Sequence, residues 1–210
     1  ANAENLKAQA IQGSNAYSIV ESLTTEIGPR MGGSQAYDRA TAWAQQKFKA
    51  LGYDKVWLQP VTFPVWQRRS ESGRIISPYP QPLILTALGG SVGTQGPLNA
   101  EVVEFASLEA LKAAPEKSLL GKIAFVNQKM LRAKDGSGYG PVSTLRRVGA
   151  SEAAKKGAVA LVIRSAGTDS DRMPHTGMMR YEDAVAKIPA AALSAPDADL
   201  LANMLTRGKP

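Results

Sequence analysis

The chain contains no cysteine and a single histidine, His175. The missing thiols exclude disulfides, thiolate metal sites and a cysteine nucleophile. The shortage of imidazole bears on metal chemistry, because hydrolytic zinc needs about three protein ligands per ion from His, Cys, Asp and Glu, and a two-metal site needs more. His175 lies in RMPHTGMMRYED, residues 172–183, and is followed by Thr176 and Gly177, so it does not open an H-x-D pair. H-E-x-x-H, a P-loop, a G-x-G-x-x-G fingerprint and an EF-hand loop are also missing. Nothing approaches the ~20 apolar residues that span a bilayer, so no membrane partner is expected. The opening ANAENLKAQA has neither a basic n-region nor an apolar h-region and is not read as a signal peptide. Its small polar character suits a mature exported protein, or equally a boundary inside a longer one.

With 44% hydrophobic and 20% charged residues, the 210-residue composition is that of a globular protein with one well-filled core or one domain with a small appendage. The net charge of +7 invites a nucleic-acid reading. The basic residues come as scattered pairs, Arg68-Arg69, Arg146-Arg147 and Lys155-Lys156, without a stripe of interleaved aromatics. They are read as a solvated surface, and no nucleic-acid partner is expected.

Residues 16–65 read as helix, glycine-rich turn, helix, strand. Ile19, Val20, Leu23 and Ile27 recur at helical spacing until Gly28-Pro29. Ser34 is placed to cap a second helix, with Ala40, Trp43, Ala44, Phe48 and Leu51 on one face and Gly52 at its end. DKVWLQPVTFPVW then alternates like a strand kept to an edge by Pro60 and Pro64. From residue 66 the texture changes. RIIS, PLILTAL and NAEVVEF read as short strands of an antiparallel β-sandwich or partly open barrel. Leu108 to Ala114 predicts a short helix, GKIAFVN a strand, and AKDGSGYGP a mobile turn. Ser151 is expected to cap a short helix SEAAKK ended by Gly157 and followed by the buried strand AVALVIRS. KIPAAALS and a closing helix with Leu200, Leu201, Met204 and Leu205 inward complete the chain. The fold class is therefore α+β with α/β elements, divided into residues 1–65 and 66–210.

One catalytic motif needs weighing. Gly89-Gly90-Ser91-Val92-Gly93 fits G-x-S-x-G, and Asp135, Asp169 and Asp171 lie between Ser91 and His175 in the order of a Ser-Asp-His hydrolase. A nucleophile elbow requires a helix directly after the serine, whereas Thr94-Gln95-Gly96-Pro97 opposes one. A glycine-rich turn is the preferred reading, with a serine hydrolase based on Ser91 a distant alternative.

GPRMGGS together with AWAQQKFKALGYDKVWLQPVTFPVWQR resembles the amino-terminal start of co-catalytic zinc exopeptidases of the carboxypeptidase Q and aminopeptidase type. GKIAFVNQ, GASEAAKKGAVALVIRS, PHTGMMRYED and KIPAAALSAPDADLL are similar to the protease-associated domain inserted in those enzymes. The resemblance runs from about Tyr17 to Pro210. It implies two helices and a first strand of a peptidase domain in residues 1–65 and a protease-associated domain in 66–210. It also implies a secreted or periplasmic parent enzyme acting on short peptides with two zinc ions. The zinc ligands and general-base glutamate would lie beyond Pro210, so no catalytic or metal residue is assigned within the chain, and the segment alone is expected to be inactive. His175 and Tyr181 are the candidates for a substrate-facing role once the catalytic domain is attached, against the simpler reading of His175 as a loop residue bonded to local backbone. An uncovered residue 1–65 segment is expected to be disordered, to exchange strands in a homodimer, or to associate with a catalytic fragment. A free-standing peptide- or protein-binding module is the alternative function.

Overall fold

The structure, a computed structural model, describes residues 2–208, in two units, Ala1–Val65 and Trp66–Pro210. The first unit opens with a helix that the sequence did not signal, α1 (Asn2–Gln12), which has no buried residue. The periodic residues Ile19 and Val20 fall in α2 (Ala16–Ser22), which continues into a π-helical turn, Leu23–Ile27. Gly28, with φ 74°, ends it as expected. Ser34 caps α3 (Gln35–Ala50) by accepting a hydrogen bond from Tyr37 N–H at 3.2 Å, and Gly52 leaves the helix at φ 83°. The expected strand in DKVWLQPVTFPVW does not form. A strand needs a partner ladder, and none of the described residues of this unit is in a strand. None of them is buried either, and Tyr17, Met31, Trp57 and Val61 are each at least 69% exposed.

The second unit differs from the antiparallel sandwich or barrel read from the sequence. A two-stranded antiparallel ribbon joins β1 (Gly73–Ile75) to β2 (Gln81–Leu83). A separate five-stranded sheet contains β3 (Leu85–Ala87), β4 (Val102–Phe105), β5 (Ile123–Val126), β6 (Ala160–Arg164) and β7 (Ala190–Leu193), in the order β3-β7-β6-β5-β4. β4 to β7 are parallel and only β3 runs antiparallel, against β7. Parallel neighbours need crossovers. α4 (Leu108–Ala113) crosses between β4 and β5, and α5 (Tyr139–Lys155) between β5 and β6. α6 (Ala195–Leu205) follows β7.

Strand alternation divides the core into two faces. Ala124, Val126, Leu161, Ile163, Ala190 and Ala192 pack with Leu108 and Leu111 of α4 and Leu145, Ala150 and Ala153 of α5. On the opposite face Phe125 and Leu193 pack with Ala198, Leu201 and Met204 of α6 and with Ile75. The mixed helix-and-sheet class matches expectation. The parallel arrangement was missed because strands of four or five residues buried on both faces look alike whichever way they pair.

PLILTAL is two strands, broken at Ile84. Ile84 N–H donates to Asp197 Oδ2 at 2.8 Å, and its carbonyl accepts from Ser194 N–H at 2.9 Å. Ser151 does not cap a helix. It sits buried inside α5, and its Oγ accepts from Glu182 N–H at 3.0 Å, holding the loop before β7. Tyr139, Gly140 and Pro141 belong to the first turn of the same helix and not to a mobile turn; proline is tolerated there because the amide it lacks would be unpaired anyway.

At the carboxyl ends of β5 and β6, Arg164 meets Asp199 of α6 through two hydrogen bonds of 2.7 and 3.0 Å, and its Nη1 also reaches Asn127 Oδ1 at 3.1 Å. The Arg164 hydrogen bonds lower the Asp199 pKa. A carboxylate whose folded pKa is depressed adds stability above its unfolded pKa and loses it as the pH falls through the folded value. We therefore expect Asp199→Asn to lower the urea midpoint at pH 7 and to flatten its decline in acid, so that the variant and the wild-type chain converge below about pH 4. Parallel acid limbs for the two proteins would refute this.

Candidate functional site

β6 delivers the chain to Ser165 and Ala166, from which the long connection to β7 departs. The connection folds back on its own start. Ser165 Oγ accepts a short hydrogen bond from His175 N–H, and the Ala166 carbonyl lies 3.0 Å from His175 Nδ1. A carbonyl only accepts, so Nδ1 carries a proton and donates it here. The local-backbone reading of His175 thus accounts for one ring nitrogen. The other is free to act, because the residue is exposed.

The His175 ring stacks on Tyr139 at the start of α5, with centroids 5.8 Å apart and planes 20° from parallel. Arg146, two turns along α5, lies beside the same tyrosine. Its Cζ lies 5.6 Å from the Tyr139 ring centroid, and Nη1 donates to Tyr139 Oη at 2.9 Å and more weakly to the Thr176 carbonyl at 3.5 Å. This approach explains the glycine of PHTG, since a Cβ at Gly177 would lie 2.8 Å from Arg146 Cζ. A Cβ at Gly138, just before Tyr139, would likewise run into the Leu131 carbonyl. Sequence reading pointed to His175 and missed Tyr139 and Arg146. Arg146 had looked like one of several basic pairs, and only the fold brings it under the histidine loop.

Tyr181 stands elsewhere in the same connection. Its ring packs partly buried against the α4 and α5 core face. Its hydroxyl donates to the Ile188 carbonyl at 2.6 Å and accepts from Val92 N–H at 3.0 Å. With donor and one acceptor site used on backbone, the hydroxyl ties the loop before β7 to the loop after β3, and the ring beside His175 is that of Tyr139.

Ser91 lies in that second loop. Its Oγ donates to the Val92 carbonyl at 2.9 Å and accepts from Ala190 N–H at 2.8 Å, and its carbonyl accepts from Trp66 Nε1 at 2.9 Å. The hydroxyl proton is directed at a carbonyl and not at a base, and no helix follows. Gly89 pairs with Met178 in an isolated parallel bridge, so the glycine-rich stretch is a structural loop, as preferred from the sequence. Asp135 is likewise committed: it accepts from Ser137 N–H at 3.0 Å, and this bond lowers its pKa.

A zinc centre does not fit these residues. Among the described residues no group of three or more His, Cys, Asp or Glu is placed to hold a metal ion. The surroundings of His175 are a guanidinium and a phenol, which repel or weakly bind a cation. No helix among the described residues is long and apolar enough to cross a membrane.

No family model matches the chain. Carboxypeptidase Q from Bos taurus is 36% identical over 195 residues, covering 91% of this chain and 39% of the relative. Carboxypeptidase Q from Xenopus laevis is 38% identical over 184 residues, covering 87% and 38%. Among solved structures, a peptidase M28 precursor from Shewanella amazonensis matches with a TM-score of 0.89 and 52% identity, over 99% of this chain and 47% of that one. A zinc aminopeptidase from Bacillus subtilis shares the fold at a TM-score of 0.58 and 21% identity, over 90% and 40%. These matches support a segment of the M28 peptidase type. Within that type it is a carboxypeptidase Q-like segment, and it spans about 39% of the length of the curated relatives it matches.

Proposed function

We propose that the chain is the amino-terminal portion of a secreted or periplasmic zinc exopeptidase that hydrolyses short peptides, and that Trp66–Pro210 is a protease-associated domain shaping substrate access. The observation that carries this reading is the pairing of two facts. Similarity to carboxypeptidase Q extends over about nine-tenths of the chain but only 38–39% of the relatives, and the described residues offer no metal-ligand group. The two zinc ions and the general base would then be held by residues outside the 210. In the whole protein zinc would activate water and polarise the scissile carbonyl; this chain would contribute binding surface.

The state of Ala1–Val65 supports the same reading. Its helices carry large apolar side chains, yet none of its described residues is buried. A patch of this extent ordinarily finds a partner, and in this reading the partner is the catalytic domain. The loop holding His175 would face the substrate.

The test compares dipeptide hydrolysis by the 210-residue chain with that by the protein continued to the length of its relatives. Turnover by the longer protein alone, abolished by a chelator, is expected. A longer protein without turnover under zinc would remove the exopeptidase reading. The alternative, a free-standing peptide-binding module, would instead show peptide binding with no gain of activity on extension.

A further inference from the structure

The cluster of His175, Tyr139 and Arg146 retains hydrogen-bonding capacity that the fold does not use. Arg146 Nε is buried without a partner. Its Nη1 is engaged as described, and Nη2 makes no hydrogen bond among the described residues. None of the ion pairs among those residues includes Arg146. Tyr139 Oη accepts from Arg146, which leaves its own proton unassigned. His175 Nε2 is free.

We propose that Arg146 and Tyr139 form a receiving site for the terminal carboxylate of a short peptide, with His175 as its exposed wall. The assignment rests on the exopeptidase reading and deepens it by naming the part of the substrate this face would hold. Arg146 is half-buried without a carboxylate, whereas the half-buried Arg164 is met by both oxygens of Asp199. Guanidinium favours planar oxyanions over other ligands because its fork of N–H donors matches their geometry. The Tyr139 hydroxyl adds a second donor beside it, and its bond from Arg146 Nη1 limits how far the guanidinium can swing. A metal cation is disfavoured by the guanidinium charge. Loop residues held on a rigid helix in this way are suited to binding.

The test is a solution NMR titration of the 210-residue chain with glycyl-leucine and with glycyl-leucinamide, which differ at the terminal carboxylate. The expected result is a saturable shift of the Tyr139, Arg146 and Thr176 backbone amides with glycyl-leucine at about 10 mM, well above a Kd of about 1 mM. The amide should bind about tenfold more weakly, as should glycyl-leucine to Arg146→Gln. If the variant fails to fold, the wild-type comparison of acid and amide decides. Equal shifts with both ligands, or no shift with either, would overturn the proposal. Carboxylate-selective binding combined with an inactive longer protein would leave this site standing and remove only the exopeptidase reading.

Discussion

Phe125→Ala is expected to lower the unfolding free energy of the second unit by about 4 kcal/mol. Phe125 is fully buried at the middle of β5 and is the largest side chain on the α6 face of the sheet, where it packs with Leu193, Ala198, Leu201 and Met204. Its truncation removes the transfer free energy of a ring and leaves a cavity walled by a helix and a ribbon. β5 is hydrogen-bonded to a neighbouring strand on each edge, so its backbone can close the cavity only slightly. A urea titration followed by far-UV circular dichroism measures the effect. A loss under about 1 kcal/mol would mean that α6 and the sheet are not packed as described.

Asp197→Ala should cost about 3 kcal/mol in the same titration. Asp197 is completely buried. Its Oδ2 accepts from Ile84 N–H at 2.8 Å and from Ser194 Oγ at 2.7 Å, while Ser194 Oγ accepts in return from Asp197 N–H at 3.2 Å. Oδ1 has no hydrogen bond and lies 3.6 Å from Arg172 Nη2. One carboxylate therefore closes a reciprocal cap on α6, satisfies the amide at the break between β2 and β3, and attracts an arginine from the connection before β7. Its removal leaves the Ile84 amide without its partner and weakens the helix start. Asp197→Asn keeps an acceptor and should cost less. Equal losses for alanine and asparagine would indicate that charge, and not the hydrogen bonds, sets the stability.

These two residues also show why part of the fold was legible and part was not. The ends of α3 could be read because its signals are local: Ser34 and Gly52 flank the helix. The break at Ile84 was not legible, since the atom that causes it belongs to a residue 113 positions away. DKVWLQPVTFPVW has a strand's alternation, but alternation describes how a segment could be covered, and in these residues nothing pairs with it. Ser151 looked like a cap because serine favours caps; the fold spends its hydroxyl on Glu182 N–H instead. At the candidate site the lone histidine was visible as a chemical oddity. Its neighbours Tyr139 and Arg146 come from α5, whose true start was hidden within a run of glycines.

The most direct test of the central claim, that the chain carries substrate-facing surface but not the metal machinery, is the zinc content of the purified protein after equilibrium dialysis against dilute zinc. The account predicts no stoichiometric zinc on the 210 residues and two ions on the protein extended to the length of its carboxypeptidase Q relatives. Tightly bound, stoichiometric zinc on the 210-residue chain, accompanied by peptide turnover, would contradict it.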